Sequence, residues 1–230
     1  MAAAPPIRLC TFDCYGTLID WEGGAGAFLY DLALRHGDTR LESGRALRDR
    51  WESIQFELIQ GPYRPYKNVL RESLHAWMDE RGYAWGESEG DAFVRSMRSW
   101  QPFPETRPAL MRVRHAGVRL AIISNTDHDI IEHTLRHLEV PFDAVITAED
   151  CRAYKPSPTV FQQALARLRE APENVLHVAF GFEYDIGPAQ AIGCRTGWVN
   201  RKGEQAPGST RPDYVWRDLW GLAELIDRTP

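Results

Sequence analysis

Short apolar runs closed by turn residues or charges recur along the chain, at 7–12, 118–124, 144–147, 175–180 and 195–200. Runs of this length, apolar at successive positions, predict strands covered on both faces. Between the later runs, "DIIEHTLRHLE" and "TVFQQALARLRE" place apolar residues three and four apart, the spacing of a helix with one buried face. Strands alternating with helices predict a parallel sheet with helices on both faces.

The stretch 21–100 follows another pattern. "AFLYDLALRHG", "ALRDRWESIQFELIQG", "VLRESLHAWMDERG" and "DAFVRSMRSW" read as successive helices broken at Gly37, "GPYRP" and "GYAWGES", with no strand between them. A helical subdomain inserted after the first strand is therefore expected, with 1–20 and 101–230 forming the sheet domain.

In an open parallel sheet, ligands bind beyond the carboxyl ends of the strands. That rule selects Asp13 after the first run, Ser124 and Asn125 after the second, Lys155 in the loop after the third and Asp185 after the fourth. Carboxylates, a cation and a polar pair would meet on one rim.

Composition narrows the partners. The 230 residues are 43% hydrophobic and 26% charged, an ordinary globular balance long enough for a full core. A net charge of -5 argues against nucleic acid or an anionic membrane, while leaving a small anionic substrate compatible with a locally basic pocket. The start, "MAAAPPIR", reads as neither signal peptide nor anchor, and no run has the length of a membrane span. Cys10, Cys14, Cys151 and Cys194 lack CxxC spacing, so neither zinc nor a disulfide framework is expected, and a cytoplasmic location is. His128, His133 and His137 lie near one helix, but lack a third ligand or an HExxH pattern and are expected to be a solvated face. "GGAGAF" matches no phosphate-binding loop and is expected to begin the helical insert.

"FDCYGTLID", "IISNTD", "YKPSPTVF" and "HVAFGFEYDIGPAQAIG", the last followed by "WVNR", resemble the four successive motifs of the haloacid dehalogenase superfamily, in order and over nearly the whole chain. The resemblance implies an α/β, Rossmann-like core with a helical cap at 21–100. It also implies that Asp13 is a nucleophile: an ionised carboxylate attacks an electrophile and forms an ester that water cleaves. Gly16 and Thr17 fit a tight turn beside it, with backbone N–H groups facing an anionic oxygen. Lys155 would fix the nucleophile, with Ser157 and Pro158 as N-cap and first residue of the next helix. Asp185 would be the general base.

Tyr15 decides which branch of the superfamily is meant. Phosphatases of this kind carry an acid two residues after the nucleophile, because a departing alkoxide needs a proton; a tyrosine, with an ordinary pKa of about 10, replaces it poorly. A departing halide needs none, and the 2-haloacid dehalogenases resemble this chain in carrying Asp-x-Tyr. The phosphatases also place a magnesium-binding acid where this chain has Phe180, so no metal and no cofactor are expected. In the dehalogenases an arginine on the first long cap helix receives halide; "RWESIQFEL" resembles that segment and makes Arg50 the candidate, with Arg45 and Arg48 nearby. Asn125 and Ser124 would bind substrate carboxylate or halide, and Phe182 and Tyr184 would line an apolar pocket. Thr126 with Asp129 resembles a capping box for the helix that follows.

The resemblance departs in one place: dehalogenases carry a Ser-x-Asn type segment before the motif-four aspartate, whereas "FGFEY" is one residue longer and has neither side chain. The expected activity is metal-free hydrolysis of small L-2-haloacids to 2-hydroxy acids. A magnesium-dependent phosphatase using Glu183 with Asp185 is the alternative, and a non-catalytic binding protein a third. Dimers are common in the family, so a homodimer is one assembly to test.

Overall fold

The computed structural model describes residues 6–38 and 42–228. Most of the amino-terminal stretch read above as neither signal nor anchor lies outside the described residues. In chain order the elements begin with β1 (Leu9–Phe12), α1 (Trp21–Arg35), α2 (Gly44–Ile59), α3 (Tyr66–Glu80), α4 (Glu87–Ser96) and α5 (Thr106–His115). There follow β2 (Arg119–Ser124), α6 (His128–Leu138), β3 (Ala144–Thr147), α7 (Ala148–Cys151) and α8 (Pro158–Leu168). The chain closes with β4 (Val175–Ala179), α9 (Gly187–Ala191), β5 (Arg195–Val199), β6 (Tyr214–Trp216) and α10 (Trp220–Asp227). They divide into two compact units: one of residues up to Ile19, Pro102–Asn125 and Leu138 onward, the other of Asp20–Gln101 and Thr126–His137.

The first unit holds a single sheet in the order β3-β2-β1-β4-β5-β6, with every pairing parallel. All five apolar runs are strands. From β1 the chain first adds strands on one side and then on the other, so the order reverses between β1 and β4, where open α/β sheets bind ligands. On one face α8 packs Val160, Phe161, Ala164 and Leu168 against Leu9, Ala121, Ile123 and Val175. Each of the larger side chains among them, removed from water, contributes roughly 1.5–3 kcal/mol. α5 and α10 pack on one another and bury Ala109, Leu110, Val113, Leu222, Ala223 and Ile226.

β6 is the strand that periodicity did not predict. It is three residues long, lies at the sheet edge and leaves Val215 55% exposed, so it carries almost no apolar signal. Its place is set by β5 instead: a Cβ on Gly197 would stand 2.3 Å from the Trp216 ring, so only glycine admits that ring.

The second unit gathers α1 to α4 and most of α6. Asp20 caps α1 by accepting from the Gly23 N–H, and Ser43 caps α2 by accepting from that of Ala46. The glycine-rich stretch serves packing: a Cβ on Gly26 would lie 3.1 Å from the Gly44 carbonyl oxygen, and one on Gly44 2.9 Å from that of Gly26. Two glycines therefore let α1 approach the start of α2 backbone to backbone. Trp51 centres the apolar interior, edge-on to Phe93, and donates its indole N–H to Ser73 Oγ at 2.9 Å.

The expected capping box of Thr126 and Asp129 is not formed. Thr126 Oγ1 is buried without a hydrogen-bond partner among the described residues, and Asp129 is paired with Lys67 Nζ at 2.9 Å. Asp127 does the capping, for a different helix. Its carboxylate accepts from the Tyr66 and Lys67 N–H groups at 2.8 and 2.9 Å, because Pro65 at the N-cap of α3 has no side-chain acceptor. Ser157 and Pro158 begin α8 as expected, although Ser157 makes no side-chain cap bond. No helix among the described residues is long and apolar enough to cross a membrane.

Candidate active site

Asp13 is the first residue past β1 and Asp185 lies six residues past β4, so the reversal of strand order brings them to one crevice. Between them stands the Lys155 ammonium, 1% exposed. Nζ donates to Asp13 Oδ1 at 2.9 Å, to Asp185 Oδ1 at 2.6 Å and to the Ile123 carbonyl at 3.0 Å. Three acceptors use all three protons of the group, which fixes its position.

The lysine is also fixed through its backbone. The Asn125 side chain accepts from the Lys155 N–H at 2.7 Å and donates through Nδ2 to the Lys155 carbonyl at 2.9 Å. Asn125, selected from sequence as a substrate ligand, is thus a clamp on the lysine loop that keeps one amide proton in hand. Ser124, at the end of β2, is buried, and its Oγ has no hydrogen-bond partner among the described residues. An unpaired buried hydroxyl costs about 1–3 kcal/mol, and a bound ligand atom would remove that cost.

Asp13 is held on its other oxygen by Thr17, a side chain the sequence reading credited only with a turn. Thr17 Oγ1 donates to Asp13 Oδ2 at 2.8 Å and accepts from the Phe180 N–H at 2.8 Å. The turn between them closes through bonds from the Leu18 and Ile19 N–H groups to the Cys14 carbonyl, with Gly16 at φ +100° where a side chain would be strained. Arg201, from the "VNR" after β5, anchors it further. It donates to the Thr17 carbonyl at 2.8 Å and to Glu105 at 2.6 Å, and stacks over Phe103.

His177 on β4, given no role in the sequence reading, is wholly buried, with Nε2 at 3.0 Å from Asp185 Oδ1 and Nδ1 at 2.9 Å from Thr11 Oγ1. One signal existed in the sequence: an imidazole inside the apolar run "VLHVAF" has to be hydrogen-bonded once buried.

The two carboxylates are tuned in opposite directions. Burial is the largest influence on each and disfavours its charge. For Asp13 it prevails, with the Asp185 charge adding to it, over the opposing pull of Lys155 and Thr17, and the pKa is raised. For Asp185, Lys155 and the His177 hydrogen bond outweigh burial, and the pKa is lowered. Lys155 is raised, since its two carboxylates overcome the burial that would lower it.

The lengthened segment before Asp185 forms a π turn over Phe182–Ile186, closed by the Ile186 N–H on the Gly181 carbonyl. A π turn takes up one extra residue without breaking the chain direction, and such turns gather at functional sites. Phe182 turns to Trp198, edge-on at 5.2 Å, and Tyr15 and Tyr184 are half-buried. Phe180 contributes its backbone, with its carbonyl accepting from Trp198 Nε1.

The donors for a divalent cation are poorly assembled. Glu183 is exposed while Asp185 is buried against Lys155 and His177, so the two acids of the magnesium alternative do not converge. Among the described residues no three His, Cys, Asp or Glu side chains form a group able to hold a metal. Arg50, on α2 in the second unit, is half-exposed and bidentate to Glu80 of α3. Arg48 is buried beside Trp21 and paired with Glu22, Asp49 and Glu52.

The chain is similar to known proteins over nearly its whole length. The chain is 27% identical over 222 residues to an (S)-2-haloacid dehalogenase, 4A, of Burkholderia cepacia, covering 93% of this chain and 89% of that one. It is 28% identical over 225 residues to an (S)-2-haloacid dehalogenase of Pseudomonas fluorescens, covering 96% of both. Its fold follows that of the L-2-haloacid dehalogenase of Xanthobacter autotrophicus, solved with chloropropionic acid covalently bound, at a TM-score of 0.83 and 24% identity over 97% of this chain and 100% of that one. Residues 7–193 match the haloacid dehalogenase-like hydrolases as a family, and with the Asp13–Lys155–Asp185 crevice at the point of strand reversal the chain belongs to that family.

Proposed function

We propose that this protein is a hydrolytic dehalogenase of small L-2-haloacids. The observation that carries the reading is the Lys155 ammonium shared by Asp13 and Asp185: it holds two carboxylates within one crevice, which suits Asp13 as nucleophile and Asp185 as base. Asp13 attacks C2 of the substrate from the side opposite the halogen. The carbon–halogen bond breaks with its electron pair on the halide, and an ester joins Asp13 to the substrate. Water, losing a proton toward Asp185, then adds to the Asp13 carbonyl carbon, and the bond to the product oxygen breaks. One proton of that water ends on the product hydroxyl and the other leaves to solvent. The product is a 2-hydroxy acid of inverted configuration.

The orphaned Ser124 hydroxyl and the free proton of Asn125 suit a substrate carboxylate. Tyr15 suits a leaving group that needs no acid. Residues 21–100 are proposed as the cap, and the halide-receiving role of Arg50, like the apolar lining by Phe182 and Tyr184, comes from the family resemblance. Four buried free thiols support a reducing, cytoplasmic location. A homodimer is one assembly to test, and neither nucleic acid nor an anionic membrane is proposed as a partner, in keeping with the net charge of -5.

Halide release from L-2-chloropropionate and chloroacetate, measured in EDTA with Asp13→Asn as control, tests the reading. Release by the parent and none by the variant is expected. Silence in EDTA together with magnesium-dependent cleavage of a phosphoester would overturn it.

A further inference from the structure

We propose that His177 is a positioning residue for the hydrolytic half of the reaction, holding one oxygen of Asp185 so that the other is the oxygen that takes the proton from water. The inference rests on the dehalogenase reading above and assigns a role to a side chain which that reading leaves idle.

The geometry begins with sheet register. Thr11 on β1 stands opposite His177 on β4, so the two side chains leave the same face of adjacent parallel strands. That face is covered by α8, whose Phe161 ring meets the imidazole edge-on at 5.0 Å. Thr11 and His177 are 1% and 0% exposed, so bulk solvent reaches neither. An ionised Asp185 carboxylate only accepts, so Nε2 carries a proton and points it at Oδ1, while the Thr11 hydroxyl satisfies Nδ1. The imidazole is thus held at both ends and cannot turn.

Asp185 Oδ1 receives two donors, His177 and Lys155, while Oδ2 receives none among the described residues. Oδ2 lies instead against Gly181: a Cβ built there would come within 3.0 Å of it. A carboxylate gripped on one oxygen keeps a defined orientation and offers its unshared lone pairs on the other, which is what a base acting on a positioned water requires. Lys155 is itself positioned in part by Asp13, and that anchor weakens when Asp13 gives up its charge to the ester. At that stage His177 is the donor to Asp185 whose other partner, Thr11, stays unchanged.

The consequence is confined to one half of the reaction. Ester formation uses Asp13, Lys155 and Thr17; ester hydrolysis uses Asp185. Loss of the His177 hydrogen bond therefore slows hydrolysis and spares alkylation. A residue that merely supported the fold would slow both.

The test uses the full chain with His177→Leu, which removes the donor, His177→Gln, which keeps an N–H, and Thr11→Val, which removes only the far anchor. With L-2-chloropropionate, His177→Leu is expected to lower kcat about 10- to 100-fold, the range for one hydrogen bond to a charged group. KM should fall with it, leaving kcat/KM within about 3-fold of the parent. A rapid-quench burst of one halide per chain and a mass increase on Asp13 should accompany the loss. His177→Gln should recover most of kcat, and Thr11→Val should show the same split more weakly, which keeps the test usable if the leucine variant does not fold. Equal losses in kcat and kcat/KM without a burst, or an unchanged kcat in the folded variants, would overturn the role of His177. Absence of halide release from the parent would instead overturn the dehalogenase reading itself.

Discussion

Asp13 and Asp185 are bound to one ammonium group, at 2.9 and 2.6 Å from Lys155 Nζ, and are held unequally by it. Asp185 has the shorter contact and a second donor in His177; Asp13 has the longer contact and the help of Thr17. The proposed chemistry uses this asymmetry, with one carboxylate that attacks and one that accepts a proton.

Opposite effects on stability follow from it. A group whose folded pKa is raised, as for Asp13, contributes stability that is full below its unfolded pKa and is lost as pH rises through the folded value. At neutral pH its charge therefore works against folding. Asp185, lowered, contributes stability present above its unfolded pKa and lost as pH falls through the folded value. Asp13→Asn is expected to raise Tm at neutral pH, by an amount that shrinks on acidification, and Asp185→Asn to lower it. Thermal unfolding of both variants from neutral to acid pH checks this; shifts of the same sign would refute the unequal sharing.

Removing Lys155 leaves two buried carboxylates without a counter-charge. Lys155→Met is expected to abolish turnover and to cost about 3–5 kcal/mol, the range for one side of a buried pair. Denaturant unfolding at neutral pH measures that cost. Adding Asp13→Asn to Lys155→Met should restore part of it, since one of the stranded charges is then gone, and a double variant no more stable than the single one would argue against the coupling.

Thr17 connects Asp13 to the Phe180 N–H. Thr17→Val keeps the shape and removes the hydroxyl, leaving a buried N–H and one carboxylate oxygen unpaired, at a cost of about 1–3 kcal/mol. Halide release should fall roughly 10-fold or more, by the same hydrogen-bond arithmetic. Thr17→Ser should retain most activity, and a fully active valine variant would show that Oδ2 of Asp13 needs no donor.

The arginines of α2 separate function from folding. Arg48 is buried with its charge neutralised by Glu22 and Glu52, so Arg48→Ala is expected to cost roughly 2–4 kcal/mol in urea unfolding. Arg50 is exposed, so Arg50→Ala should leave stability nearly unchanged and raise the KM for L-2-chloropropionate. Normal kinetics in Arg50→Ala would move the halide-receiving role to another residue.

The sheet was legible from sequence because strands buried on both faces are written as unbroken apolar runs. Asp13, Lys155 and Asp185 were legible because they lie beyond the carboxyl ends of such strands, in motifs that resemble those of the haloacid dehalogenase superfamily. What escaped depended on partners far along the chain. Thr17 looks like a turn residue until Phe180 arrives, 163 positions later, to give its hydroxyl a second bond. His177 is one imidazole in a strand until register sets Thr11 beside it. Thr126 has the spacing of a cap, yet the local pattern lost to a distant need, since Pro65 left α3 uncapped and Asp127 turned to it. β6 buries too little to leave a pattern at all.

The central claim, that Asp13 carries the substrate as an ester opened by attack on its own carbonyl carbon, is tested most directly by oxygen-18. With enzyme in excess over L-2-chloropropionate in H₂¹⁸O, a single turnover should place the label in the Asp13 peptide and leave the hydroxyl of the released lactate unlabelled. Label in the lactate with none on Asp13 would mean that water displaces the halide directly, and would contradict the account.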